Sequence, residues 1–208
     1  MLKNIAGLLA LFALAFIVCA TSRAHAQMPL PHQTVVVAGG CFWGVQSVFQ
    51  HTKGVINATY GYVGGTADTA HYERVSNGDT GHAESVHITY DPAQISLDQL
   101  LDIYFTVAHN PTELDHQGPD YGTQYRSEIF YENLEQRRNV AEKINALQQS
   151  KLFSAPIVTK LEKLDTFYPA EAYHQNFAAL HPNNPYILTH DAPKLNHLKE
   201  KFPTLYVK

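Results

Sequence analysis

Residues 35–44 read Val-Val-Val-Ala-Gly-Gly-Cys-Phe-Trp-Gly, and this stretch predicts where the fold begins and where its chemistry lies. The β-branched run is typical of a buried strand over residues 34–38. Gly39 and Gly40 end that strand, because glycine accepts backbone angles and close approaches that a Cβ forbids. Apolar residues then recur at helical spacing over 45–49, so we expect a strand, a tight turn and a helix, with a cysteine at the junction.

Cys41 lies at the predicted start of that helix. The first backbone N–H groups of a helix have no intrahelical partner, and the helix dipole is positive there. A thiolate is stabilised at such a place, so we expect the pKa of Cys41 to fall from about 8.5 toward about 7 or lower. The alternative is a small buried apolar side chain. The glycines before Cys41 and the aromatic residues after it favour a reactive thiol.

The first residues of the 208-residue chain resemble a removable leader. Lys3 gives a short positive region, an apolar run follows over 5–20, and an Ala-His-Ala cleavage signal ends at Ala26. The apolar run is short for a membrane span, although an uncleaved anchor is an alternative. We therefore predict a signal peptide over 1–26 and a single catalytic domain over 27–208. The mature protein is then periplasmic or secreted.

The cysteine count limits the redox chemistry of the mature chain. Of the two cysteines, Cys19 lies in the predicted leader and Cys41 lies outside it. The mature chain then has no internal disulfide. A lone cysteine in an oxidising compartment is either a hazard or a functional group, and its sequence setting favours function.

Charge and composition argue against several classes of partner. The leader holds two basic residues and no acidic one, so the mature chain has a net charge of −6 from 13 basic and 19 acidic residues. This mild acidity and the absence of a basic run predict a soluble protein without nucleic-acid binding or stable membrane association.

Twelve histidines raise the possibility of a metal site. The nearest pair, His82 and His87, is five residues apart on a predicted strand, where the two side chains face opposite sides. We therefore predict no metal site, with a histidine-rich metal-binding protein as the non-enzymatic alternative.

The order of predicted elements indicates an α+β fold. Strands and helices alternate, but long Gly- and Pro-containing loops interrupt them over 61–82 and 109–123. A further strand is predicted over 125–131, and a short helix over 170–180. We expect a two-layer sandwich with a mixed sheet and flanking helices, a ferredoxin-like core, long functional loops and an irregular C-terminal tail.

Four separated motifs carry a resemblance to a known family. They are Gly-Gly-Cys-Phe-Trp-Gly at 39–44, Gly-Asp-Thr-Gly-His-Ala-Glu at 78–84, Gly-Thr-Gln-Tyr-Arg-Ser at 122–127 and Tyr-His-Gln at 173–175. In this order they resemble peptide methionine sulfoxide reductase A, over about 34–202. Enzymes of this class return one epimer of methionine sulfoxide to methionine.

The resemblance implies a reaction without a metal or organic cofactor, on the S-epimer of methionine sulfoxide, free or in proteins. Cys41 matches the nucleophile that attacks the sulfoxide sulfur and becomes a sulfenic acid. Glu84 matches the acid that protonates the departing oxygen, which requires burial to raise its pKa from about 4.3. Tyr72 and Tyr125 match two tyrosines that hydrogen-bond the oxygen. The alternatives are a solvated carboxylate and two core tyrosines.

Three further positions match substrate-binding residues of the family. Phe42 and Trp43 match an apolar wall around the substrate methyl group, which packs well on aromatic faces. Asp120 matches a polar residue that orients the substrate or a water. Each has a structural alternative: core packing for the two rings, and a turn for Asp120.

The chain departs from much of the family in its cysteines. Gly44 follows Trp43, and the C-terminal tail has no cysteine that could attack a sulfenic acid on Cys41. We therefore expect an external reductant, which is thioredoxin, a thioredoxin-like protein or a small thiol. The expected partners are this reductant and oxidised proteins or peptides, and the expected state is a monomer.

A cysteine hydrolase is the competing enzymatic hypothesis. Cys41 would be activated by His82 or His174 and oriented through Asp79 or Asp120, which requires a Cys–His hydrogen bond.

Overall fold

The computed structural model describes residues 31–208. The predicted signal peptide over 1–26 lies outside the described residues. Within 31–208, no helix is both long and apolar enough to cross a membrane.

A six-stranded mixed sheet forms the centre of the molecule, in the order β7-β6-β1-β3-β2-β8. Only the β6–β7 pair is parallel, and the other neighbours in this sheet are antiparallel. A separate hairpin pairs β4 with β5. The strands are β1 Gln33–Ala38, β2 Val55–Val63, β3 Ala83–Tyr90, β4 His116–Gln117, β5 Asp120–Tyr121, β6 Glu128–Tyr131, β7 Lys160–Lys163 and β8 Tyr168–Pro169.

The helices lie between and after these strands. They are α1 Phe42–Gln50, α2 Tyr72–Val75, α3 Leu97–Ile103, α4 Leu134–Ser150, α5 Phe177–Leu180 and α6 Ala192–Lys201. A π-helical turn over Tyr104–Ala108 extends α3, and a second one over Ile187–Asp191 leads into α6. Side-chain caps fix two of the starts: Ser96 and Gln99 form a capping box before α3, and Asn133 caps α4.

The central part of the fold confirms the predicted class. Taken in chain order, β1-α1-β2-β3-α3-β6 is the βαββαβ arrangement, and the four strands lie in the spatial order β6-β1-β3-β2. The sheet is mixed and carries helices, as predicted. The main core packs α1 on the sheet through Val45, Val48 and Phe49, which are all fully buried.

Two local predictions were wrong. The strand predicted over 125–131 begins only at Glu128, because the backbone over Thr123–Tyr125 forms a 3₁₀ turn. The helix predicted over 170–180 is reduced to α5. The backbone at 168–170 instead pairs with β2, and the Gln175 side chain bonds the backbone of Tyr60. These sheet contacts are non-local and outweigh the local helical propensity.

Candidate active site

The junction of β1 and α1 places Cys41 at the N-terminus of the helix, where it is the N-cap residue. Gly40 precedes it with a φ of +85°, and a Cβ there would lie 2.7 Å from the side chain of Gln117. Glycine avoids both the backbone strain and the clash. The Gly40 N–H donates to the carbonyl oxygen of Tyr125 at 3.1 Å, which ties the turn to the loop after β5. The thiol is partly buried.

The pKa of Cys41 contradicts the sequence-based expectation. Burial raises the pKa of the thiol well above its ordinary value, and the charges of Glu84 and Asp191 raise it further. The Trp43 backbone amide and the Lys194 ammonium lower it, but they are outweighed. The helix N-terminus therefore acts in the predicted direction, yet the substrate-free thiol stays protonated at neutral pH.

Glu84 lies near the start of β3, opposite Tyr62 of β2, and its side chain is 2% exposed. Its Oε2 accepts a hydrogen bond from the backbone N–H of Phe42 at 3.1 Å. Burial raises the pKa of Glu84 to about 8, in spite of that hydrogen bond, and the charge of Asp120 adds to the rise. The carboxyl group and the thiol thus share the N-terminus of α1, and the acid is protonated at neutral pH.

Tyr72 and Tyr125 belong to the same cluster. Burial raises the pKa of each phenol, and the charges of Glu84 and Cys41 raise both further. The loop with Tyr72 is held by Glu171, whose carboxylate accepts from the Tyr72 N–H at 2.8 Å and from the Tyr62 hydroxyl at 2.9 Å. Two neutral O–H donors therefore lie around the thiol and the acid.

Phe42 and Trp43 have different environments. The Phe42 ring is 1% exposed and stacks on Tyr60, with centroids 4.7 Å apart. The Trp43 ring is partly buried and stacks on Phe177 at 3.9 Å. Its indole N–H donates to Nδ1 of His174 at 3.2 Å. Phe42 is thus also a core residue, and Trp43 is fixed in orientation by its neighbours.

A cavity of about 100 Å³ adjoins the thiol. Asp120 lines it and accepts a hydrogen bond from the hydroxyl of Tyr186, which lines the same cavity. Tyr186 also lies edge-on to the Trp43 ring at 5.9 Å. Sequence reasoning missed Tyr186, because it lies in a Pro-rich tail without a periodic pattern. The cavity residues are Cys41, Gln117, Gly118, Pro119, Asp120, Tyr186, His190 and Lys194.

The histidines of the hydrolase hypothesis have other partners. His82 receives a hydrogen bond from the Gly65 N–H at Nδ1, and its Nε2 contacts the carbonyl oxygen of Thr66. His174 is bound to Trp43 through Nδ1. No Cys–His hydrogen bond occurs within residues 31–208. In the same part of the chain, no group of three His, Cys, Asp or Glu residues is arranged to hold a metal ion.

Comparison with known families decides the classification. The family model described as "Peptide methionine sulfoxide reductase" matches residues 33–205. The chain belongs to this family. The β1–α1 junction described above, with the carboxyl group of Glu84 and the two tyrosines, is thus part of a peptide methionine sulfoxide reductase. The protein is an oxidoreductase that reduces methionine sulfoxide and takes part in the repair of oxidised proteins.

Individual relatives agree with this classification. MsrA 2 of Mesorhizobium japonicum is 58% identical over 174 residues, which cover 84% of this chain and 89% of the relative. MsrA 2 of Synechocystis is 47% identical over 170 residues, which cover 82% of this chain and 79% of the relative. Among solved structures, reduced Mxr1 from Saccharomyces cerevisiae has a TM-score of 0.69 at 32% identity, covering 74% of this chain and 87% of that chain. Methionine sulfoxide reductase A of Corynebacterium diphtheriae has a TM-score of 0.67 at 30% identity, and the match covers 76% of this chain and 77% of that chain.

Proposed function

We propose that the enzyme reduces the S-epimer of methionine sulfoxide, free or in proteins, through a sulfenic acid on Cys41, without a metal or organic cofactor. One observation carries this proposal. Glu84, an acid with a pKa of about 8, bonds the backbone N–H that directly follows Cys41. A proton donor and a nucleophile therefore lie side by side at the N-terminus of α1, and the reduction of a sulfoxide requires both.

The first step begins with both groups protonated. Oxide is a poor leaving group, so the sulfoxide oxygen must gain a proton as the S–O bond breaks. Glu84 supplies this proton, and Tyr72 and Tyr125 donate hydrogen bonds to the same oxygen. Protonation makes the substrate sulfur electrophilic. The carboxylate left on Glu84 then accepts the proton of Cys41, so the thiolate forms only when a substrate is present.

The Cys41 thiolate attacks the substrate sulfur, the S–O bond of the sulfoxide breaks, and an S–O bond forms on the Cys41 sulfur, so the products are methionine and a sulfenic acid on Cys41. The substrate sulfur gains two electrons and the cysteine sulfur loses two. Phe42 and Trp43 hold the S-methyl group on their rings, and Asp120 with Tyr186 orients the polar part of the substrate.

The second step requires an external thiol. Cys41 is the one free cysteine within residues 31–208. An incoming thiol condenses with the sulfenic acid to form a mixed disulfide and water, and a second thiol releases Cys41. A complex of Mxr1 with Trx2 has been solved, and Mxr1 in that complex shares the present fold at a TM-score of 0.50. We propose a thioredoxin-like protein as the reductant, with a small thiol as the alternative.

We propose that the leader predicted over 1–26 directs export, so that the enzyme is periplasmic or secreted, and that the enzyme acts as a monomer. The N-terminal sequence of the protein recovered from the periplasm or medium tests the cleavage site. A start at Gln27 supports the proposal, and full-length protein in the membrane fraction contradicts it.

The decisive experiment offers the separate R and S epimers of a methionine sulfoxide peptide to the mature protein without reductant. We expect one equivalent of methionine from the S epimer only, with one sulfenic acid that a dimedone-type probe labels at Cys41. The Cys41→Ser variant should release none. Equal turnover of both epimers, or full activity of the serine variant, contradicts the mechanism.

A further inference from the structure

A continuous series of contacting aromatic rings, tilted against one another, leads from the residue next to the thiol to the surface. Phe42, next to Cys41 in the chain, packs against His174 with ring centroids 5.2 Å apart. On its outer side His174 packs against Tyr173 at 4.3 Å. His174 is buried, whereas Tyr173 is 61% exposed. Tyr173 is therefore the outermost ring of a series that begins beside the nucleophile.

His174 carries a hydrogen-bond donor with no partner. Its Nδ1 accepts the indole N–H of Trp43, so the ring proton of the neutral imidazole is on Nε2. Nε2 is buried and has no hydrogen-bond partner in the structure. The groups packed around the ring are the aromatic rings of Phe42, Trp43, Tyr72 and Tyr173. A buried donor without an acceptor is rare in folded proteins, and a bound ligand is one source of the missing acceptor.

The burial of His174 favours a neutral acceptor. Burial lowers the pKa of His174, so the ring is neutral at pH 7, although the carboxylate of Glu171 acts in the opposite direction. A neutral N–H pairs well with a peptide carbonyl. The exposed phenol ring beside it offers an apolar face and a polar edge, which is the combination that polypeptide-binding surfaces use most.

We propose that Tyr173 and His174 form a recognition site for the polypeptide chain that flanks the oxidised methionine. This inference rests on the proposed function and names the substrate class that the site favours. When the sulfoxide lies against Phe42 beside Cys41, the main chain of the substrate leaves the site along this series of rings. Tyr173 turns outward onto the residue next to the methionine, and the uncovered Nε2–H of His174 donates to a backbone carbonyl of the substrate.

The test compares two substrates of the same reaction. They are N-acetylmethionine S-sulfoxide, which lacks flanking residues, and a short peptide with a central methionine S-sulfoxide, both at saturating dithiothreitol. We expect Tyr173→Ala to raise the KM for the peptide about tenfold relative to the KM for the small substrate, because an aromatic contact of that size is lost. The Tyr173→Phe variant keeps the ring, and we expect it to restore most of the peptide preference.

The matched control is Tyr121→Ala. Tyr121 is also exposed, but its ring stacks on His116 and not on the rings that lead to Cys41. We expect its ratio of KM values to equal that of the wild type. An unchanged ratio in Tyr173→Ala, or an equal change in Tyr121→Ala, overturns the inference. In either case, the proposed function is still supported if the wild type reduces the small substrate. If the wild type does not reduce the small substrate, the proposed function itself is contradicted.

Discussion

Replacement of Glu84 by Gln separates the catalytic role of the carboxyl group from its cost to stability. The amide is similar in size and its oxygen can still accept the Phe42 N–H, but it has no proton to give. We expect the rate of methionine formation in a single turnover to fall by about 100-fold or more, the range that a general acid contributes. The stability of the folded state at neutral pH, in contrast, should increase relative to that of the wild type.

The size of the stability effect follows from the two pKa values. The pKa of Glu84 rises from its ordinary value of 4.5 to about 8 on folding, so between these pH values the folded protein holds a proton that the unfolded chain releases. The folded state therefore loses stability as the pH rises through this interval, at about 1.4 kcal/mol per pH unit. Between pH 4.5 and pH 7 the wild type should lose about 3 kcal/mol that Glu84→Gln does not lose.

Urea unfolding at pH 4.5 and pH 7 measures this difference. The comparison uses the change between the two pH values, which cancels any constant cost of the buried amide and the titration of the other groups. Glu200→Gln removes an exposed carboxylate from α6 and is the matched control. We expect it to follow the wild type within about 0.5 kcal/mol.

Two results would refute the reasoning. If Glu84→Gln loses stability between pH 4.5 and pH 7 as the wild type does, Glu84 is not a buried acid with a raised pKa. If the variant keeps its single-turnover rate, the proton on the sulfoxide oxygen comes from another group.

Three further predictions test the site and its supports. The kcat/KM of the wild type should fall as the pH rises above about 8, because Glu84 then loses its proton, and a pH profile that is flat to pH 10 contradicts this. Gly44→Ala should destabilise the protein by about 1–3 kcal/mol although alanine favours helices, because its Cβ would clash with Oδ1 of Asp191. A rise in thermal stability would show that this contact relaxes freely. Arg126→Met should cost about 3–5 kcal/mol in denaturant unfolding, because it leaves the buried carboxylate of Glu128, 2.6 Å from the guanidinium, without its partner. Recovery of stability in the Arg126→Met, Glu128→Leu double variant supports that cause, and a single variant as stable as the wild type opposes it.

Local sequence was sufficient for the framework of the site. The strand, the turn and the helix around Cys41 are as predicted, because β-branched residues, paired glycines and helical spacing act over a few positions. The caps at Ser96 and Asn133 are local hydrogen bonds and were also predictable. The segment around Gln175 was not, because its partner is the backbone of β2, far away in the sequence.

The family and the chemical character of the site residues were set by the sequence itself, since four short motifs carry them. The protonation state of Cys41 was decided only by the tertiary structure. The helix amides that lower its pKa are neighbours in the chain, but the burial and the carboxyl groups of Glu84 and Asp191 that raise it come from β3 and the C-terminal segment. The same holds for Tyr186 beside Asp120 and for the unpartnered Nε2 of His174. Desolvation and charge act through space, so their sum at a residue is fixed only when the chain has folded.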